Sequence, residues 1–241
     1  NAFMGLLFGI VAGIVMSAVF GTFVLHFKSD PIVVGIAMNL SSWGLTSLLL
    51  FNIFHIRGSI LDPRIKSFGS IHMPFLDGIP VVDEIFNNQN ILVYMAFAVV
   101  ILSQVVMYKT PFGLRLRGVG INDKAVQTTG VSVVKYKWAS LIITGVLAGA
   151  AGAFLPLSGI SMFTENMSAG KGFLAVSAAR IGKGNPLKSF FACFIFSFAD
   201  ALSVGLQSFN IPSQLVLMAP YVVTIVVMCL TNLNELKKEA V

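Results

Sequence analysis

Apolar runs of membrane-crossing length alternate with short polar breaks along most of the chain. A helix rising about 1.5 Å per residue needs about 20 apolar residues to cross a hydrocarbon core of about 30 Å. Residues 5–27 and 32–54 meet that length; 91–108, 138–157, 190–207 and 214–231 are further candidates, each bounded by charge, Pro or Asn. The run 173–182 spans about ten residues, too few for a lipid-facing crossing, so it reads as a broken or re-entrant helix buried among the others. The pattern predicts an all-α, polytopic transmembrane helix bundle with about seven crossings, one of them short and broken.

Lys and Arg accumulate on the cytoplasmic side of membrane proteins. With 173–182 counted as a crossing, one side carries Lys28, the loop 109–137 with Lys109, Arg115, Arg117, Lys124, Lys135 and Lys137, then Arg180, Lys183, Lys188, Lys237 and Lys238. The other side carries Arg57, Arg64, Lys66 and Lys171. Twelve against four becomes ten against six if that run does not cross, so the charge bias favours seven crossings. It places 109–137 and the C-terminus in the cytoplasm and 55–90 outside. The outside loop holds Asp62, Asp77, Asp83, Glu84, Pro63, Pro74 and Pro80. It is expected to form an ordered, irregular cap with at most a short amphipathic helix, either covering helix ends or meeting an external partner.

Composition agrees: 56% of the 241 residues are hydrophobic and 11% charged, against about 25% charged in soluble domains. There is too little polar surface to cover a water-soluble globule. The net charge of +6 resides in loops flanking apolar runs, where orientation in the lipid accounts for it, and no nucleic-acid partner follows. Cys193 and Cys229 fall within apolar runs and read as small packing side chains. His26, His55 and His72 have no second ligand at metal-binding spacing. Because no GxxxxGK[ST], HExxH, CxxC or GxSxG pattern occurs, neither catalysis nor a bound cofactor is expected of this chain. It begins at Asn1 and enters an apolar run at Gly5 without a basic n-region, and so reads as N-terminally truncated.

Gly5, Gly9, Gly13, Ser17 and Gly21 recur at i, i+4 through the first run, and Gly145, Gly149 and Gly152 form a similar patch later. Lipid supplies no hydrophobic drive between helices, so such stripes mark close backbone packing. They imply a compact bundle, without specifying an activity.

The loop 109–137 carries a more specific signal. Asn122 suits an N-cap, Asp123 the first turn, and Gly130 a C′ stop, giving a short capped helix over 124–129. Two adjacent spans need far less than 29 residues of connection. The run Arg-Leu-Arg-Gly-Val-Gly-Ile-Asn-Asp-Lys-Ala from Arg115 leads into the small-residue helix through Gly152. Asn166-Met-Ser-Ala-Gly-Lys-Gly-Phe173, Gly184-Asn-Pro186 and Phe198-Ala-Asp200-Ala-Leu202 follow in order.

These blocks resemble the permease family of ABC importers for branched-chain amino acids, simple sugars and nucleosides, and within it the branch working with basic-membrane-protein-type lipoprotein receptors. The similarity extends from about residue 38 to 221, and the order of the blocks is more specific than any one of them. Gly118 stands where Ala is common, and Ala179-Arg180 replaces an apolar pair. The resemblance implies a single permease domain over 1–241 in the cytoplasmic (inner) membrane, lacking a glycine-rich N-terminal portion. It implies that 118–130 is the coupling helix docking on an ABC ATPase subunit, with Gly120, Asn122, Lys124, Ala125, Thr129 and Gly130 as the docking residues. ATP then belongs to that partner. A second permease subunit, identical or paralogous, and an extracytoplasmic substrate-binding lipoprotein complete the expected assembly. The expected cargo is a nucleoside first and a simple sugar next.

Within the spans, Asp200 is the only acidic residue deep in an apolar run, which costs several kcal/mol unless it is paired or protonated. It is either a pathway residue or a structural carboxyl bonded to a neighbouring helix. Asn39, with Ser41, Ser42 and Thr46, makes a polar strip on the second span that either lines a water-filled path or bonds between helices. Gln207 and Asn210 are weaker pathway candidates. The competing class is an ion- or proton-coupled secondary transporter, which uses membrane carboxylates and broken helices without an ATPase.

Overall fold

The computed structural model describes residues 2–61, 69–71, 87, 89–158, 162–206 and 222. Five helices among them are long and apolar enough to cross a membrane. Of the expected crossing at 214–231, all but residue 222 lies outside the described residues.

α1 (Ala2–Gly21) continues into a π-helical turn, Thr22–His26. α2 (Pro31–Phe54) starts where Asp30 Oδ1 accepts from the N–H groups of Ile32 and Val33, at 2.8 and 3.1 Å, with Pro31 supplying a first turn that needs no donor. It stops at His55, whose φ of 54° is left-handed. Beyond it come three short strands, β1 (Ser59–Leu61), β2 (Ser70–Ile71) and β3 (Gln89–Asn90). Where it is described, the loop expected to be irregular therefore contains extended segments, and no helix appears among its described residues.

α3 (Ile91–Lys109) ends at Thr110, and α4 (Pro111–Ile121) begins at once. Thr110 Oγ1 accepts from the Gly113 N–H at 3.2 Å. A Cβ on Gly113 would lie 2.2 Å from the Val106 carbonyl, so this sharp bend requires glycine. The sequence led us to expect one short helix in 109–137; α4 is a second, a full eleven residues long. Its three glycines and two arginines suggest a loop, whereas the Thr-Pro start caps it as a helix.

α5 (Asp123–Thr128) and α6 (Val133–Leu157) follow, then β4 (Met162–Thr164), α7 (Lys171–Ile181) and α8 (Pro186–Leu206). α7 corresponds to the expected broken helix in length, at about 1.5 Å per residue about 16 Å or half a bilayer core. It is not buried among the others: among the described residues it packs chiefly against α8, through Ala178, and Phe173 and Val176 are exposed on this chain.

By packing, the chain divides into two units: 1–98 with 106–168, and 99–105 with 169–241. In the first, α1 lies antiparallel against α6. Gly9 and Gly13 meet Gly149 and Gly145 backbone to backbone, and the Ser17 hydroxyl donates to the Leu141 carbonyl. The stripe on α6 continues through Ala153; Gly152, which the sequence grouped with it, has nothing within 4 Å of its Cβ position. β1 pairs antiparallel with β4, Ile60 opposite Phe163, so the segments after α2 and after α6 lie on one side. β2 pairs with β3.

In the second unit, α7 and α8 form a hairpin around buried Ala178, Ala192 and Phe196. The turn between them uses positive φ at Lys183 and Gly184. Asn185 Oδ1 then caps α8 by accepting from the N–H groups of Leu187 and Lys188.

Candidate functional site

Asn122 ends α4 and begins α5: its N–H donates to the Gly118 carbonyl, while its Oδ1 accepts from the Ala125 N–H at 3.1 Å. Gly130, at φ 79°, closes α5 by donating to the Gln127 carbonyl. Gly120, Asn122, Lys124, Ala125, Thr129 and Gly130 are all exposed on this unit, so the expected docking residues are presented together. Val126 turns inward, its methyl 3.1 Å from where a Cβ on Gly118 would stand.

Two further contacts hold α5 and α4 to the base of α6. Lys137 Nζ donates to Asp123 Oδ2 at 3.0 Å, and this bond, with the lysine charge, lowers the Asp123 pKa. The Arg115 guanidinium donates to the Tyr136 hydroxyl at 3.2 Å, and the Phe112 and Tyr136 rings sit 5.5 Å apart. Ile121, at the joint between α4 and α5, is 87% exposed. The sequence reading named the polar and small residues around it and missed this apolar knob, whose signal was an Ile between Gly120 and Asn122 in a charged loop.

The polar strip of α2 splits. Val34, Met38, Ser42, Thr46 and Leu50 form its buried and half-buried stripe at i, i+4. Ser42 and Thr46 donate back to the carbonyls of Met38 and Ser42 in their own helix. Thr46 also borders a largely apolar cavity of about 290 Å³ with Leu49, Ile53, Ile60 and Phe163. Asn39 and Ser41 lie off the stripe, exposed. Asn39, Ser42 and Thr46 belong to the first unit and Asp200 to the second, while Gln207 and Asn210 lie outside the described residues.

Asp200 is paired: Lys171 Nζ stands 3.3 Å from its Oδ2. The sequence placed Lys171 in an outer loop, yet it is the first residue of α7. Glu165 was also missed. Its Oε1 accepts from the Gly58 N–H at 3.1 Å and its Oε2 from the Ser47 hydroxyl at 2.9 Å, while its own N–H donates to the Gly58 carbonyl at 2.8 Å. The Gly58 N–H, then Ser47, then the Arg57 charge hold its carboxyl below the usual carboxylate range.

Residues 1–228 match the family model described as branched-chain amino acid transport system / permease component. The chain is 35% identical to the nucleoside ABC transporter permease protein NupC of Lactococcus lactis, the match covering 94% of this chain and 72% of that one. Against the guanosine ABC transporter permease protein NupQ of Bacillus subtilis the identity is 33%, covering 92% and 70%. A putative glucose ABC transporter permease, TsgC13 of Haloferax volcanii, is 28% identical over 88% of this chain and 63% of its own length. No solved structure gives a significant match. Membrane-length helices, a capped loop between two of them and a match over nearly the whole length agree, and the chain belongs to the branched-chain amino acid transport system permease family.

Proposed function

We propose that this chain is a permease subunit that moves a nucleoside inward across the cytoplasmic membrane, driven by ATP hydrolysis on a separate ATPase subunit. The observation that carries the reading is α5, a helix capped at both ends, exposed on its outer face and strapped to α6 by Asp123–Lys137. A helix so held transmits a push from a docked partner into α6 instead of bending. The nucleoside assignment draws support from the names of the two relatives above 30% identity. The bias of positive charge puts α5 and the C-terminus in the cytoplasm, and β1 with β4 outside. Asn39, Ser42, Thr46, Asp200 and Gln207 are the proposed pathway residues. A second permease subunit and an extracytoplasmic binding lipoprotein complete the assembly.

The test is uptake of labelled nucleoside by the assembled importer in vesicles. Uptake that needs ATP and survives collapse of the ion gradients supports the reading. Uptake that follows an ion gradient without ATP replaces it with the secondary-transporter reading. Photocrosslinking from Ala125 should capture the ATPase, and its failure to do so counts against α5 as the docking element.

A further inference from the structure

α7 and α8 run antiparallel from a tight turn at 182–185. Counted at about 1.5 Å per residue, Lys171 stands about 15 Å from the Ile181 end of α7 and Asp200 about 21 Å from the Pro186 start of α8. In a core of about 30 Å, both heights fall well inside it. The Lys171–Asp200 pair therefore stands within the span, where hydrocarbon tolerates neither ion in contact with it.

The pair is not enclosed by this chain: the Lys171 side chain is 56% exposed and that of Asp200 36%. Exposed ions at that depth require water. The half-length of α7 supplies the room, because the helix begins only at Lys171 and the chain reaches it through turns at 165–170. Beside the pair lies a cleft of about 210 Å³, lined also by Leu174, Ala175, Phe196 and Ser197. Sites that engulf a ligand measure about 300–1,000 Å³, so this cleft is sized for one moiety of a solute in passage.

We infer that Lys171 and Asp200 form a polar station of the transport path, within the span, for the hydroxyl-bearing part of a neutral solute. This rests on the importer reading above. The ammonium donates to hydroxyl oxygens, the carboxylate accepts from hydroxyl protons, and a vicinal diol satisfies both at once. Ser197 lies one turn before Asp200 and borders the same cleft, adding a hydroxyl. Because the two charges cancel, the station attracts no ion strongly, and a neutral solute exchanging hydrogen bonds with it is not trapped. Leu174, Ala175 and Phe196 offer an apolar wall to the remainder of the solute.

The experiment uses the whole importer with Cys193 and Cys229 replaced by Ser. Ser197→Cys keeps the ion pair intact and places a thiol in the cleft. A charged, membrane-impermeant thiol reagent added from outside should modify it, and saturating nucleoside should slow modification at least several-fold. In parallel, the exchange Lys171→Asp with Asp200→Lys keeps a pair but reverses its polarity. It should assemble at wild-type levels and still lose ten-fold or more of uptake. Absence of modification, modification that nucleoside does not slow, or wild-type uptake by the exchanged pair each overturns the station and leaves the importer reading standing. A wild-type importer that moves no nucleoside overturns that reading, and the station with it.

Discussion

Gly13 of α1 and Gly145 of α6 stand so close that a Cβ built on Gly13 would lie 2.3 Å from the Gly145 carbonyl oxygen, and one on Gly145 would lie 2.8 Å from that of Gly13. Both obstacles are backbone, which cannot rotate aside. A single methyl at either position must push the helices apart, at about 1–3 kcal/mol of overpacking. Gly13→Ala should lower the thermal unfolding midpoint of the purified protein in detergent, whereas Gly152→Ala, with open space at its Cβ position, should leave it within error. Equal effects at both sites would show that the contact between α1 and α6 is not what the stripe secures.

The caps of α5 make a separate prediction. Asn122→Ala removes the acceptor for the Ala125 N–H and should destabilise this six-residue helix by about 1 kcal/mol. The permease should still insert and fold, while ATP-driven uptake falls several-fold. Asn122→Asp, which keeps the acceptor, should restore most of it. Ile121→Ser should weaken capture of the ATPase without altering the helix content.

Sidedness can be read by crosslinking. Ile60 and Phe163 are directly opposed in an antiparallel pair, where Cα atoms stand about 4.5–5.5 Å apart, within disulfide reach. Ile60→Cys with Phe163→Cys should form a disulfide under mild oxidation, and an impermeant reductant added from outside should cleave it. Cleavage only after membrane permeabilisation would invert the proposed orientation.

Glu165 gives the pH dependence. Its carboxyl is held below the usual range, so the ionised form is the one the native clasp stabilises. That contribution is complete above the ordinary carboxylate value of about 4.3 and disappears as pH falls through the lowered native value. In Glu165→Ala, amide exchange at Gly58 should be faster than in the wild type at neutral pH, and the difference should shrink as the medium is acidified through that range. A difference that grows on acidification would mean the carboxylate does not hold the loop.

Asn39 lies off the buried stripe of α2, exposed at membrane depth. Asn39→Ala should reduce uptake several-fold at normal expression if its amide lines the solute path. Uptake at the wild-type rate would remove Asn39 from the path and leave Ser42, Thr46, Lys171, Asp200 and Gln207 as its proposed members.

Much of this protein follows from local chemistry that a chain carries with it. Run length and apolarity determine the crossings. Asn122 and Gly130 determine where α5 starts and stops, because a cap acts on backbone groups within a few residues of itself. The half-length of α7 and the glycine stripe of α1 are equally local. What stayed hidden is what depends on residues distant in the chain. Which face of α6 receives the stripe, and that Ala153 and not Gly152 continues it, is decided by the crossing of two helices. Glu165 reaches Gly58 and Ser47 across more than a hundred residues through the pairing of β1 with β4. Lys171 meets Asp200 only because a short helix and a long one return from the same turn, setting the first residue of one beside a residue about two-thirds of the way along the other. Sequence alone determined the crossings and caps because backbone hydrogen bonds must be satisfied within each segment in lipid; tertiary structure alone decided the partners of the charges, because an ion's partner is whatever the fold brings within a few ångströms of it.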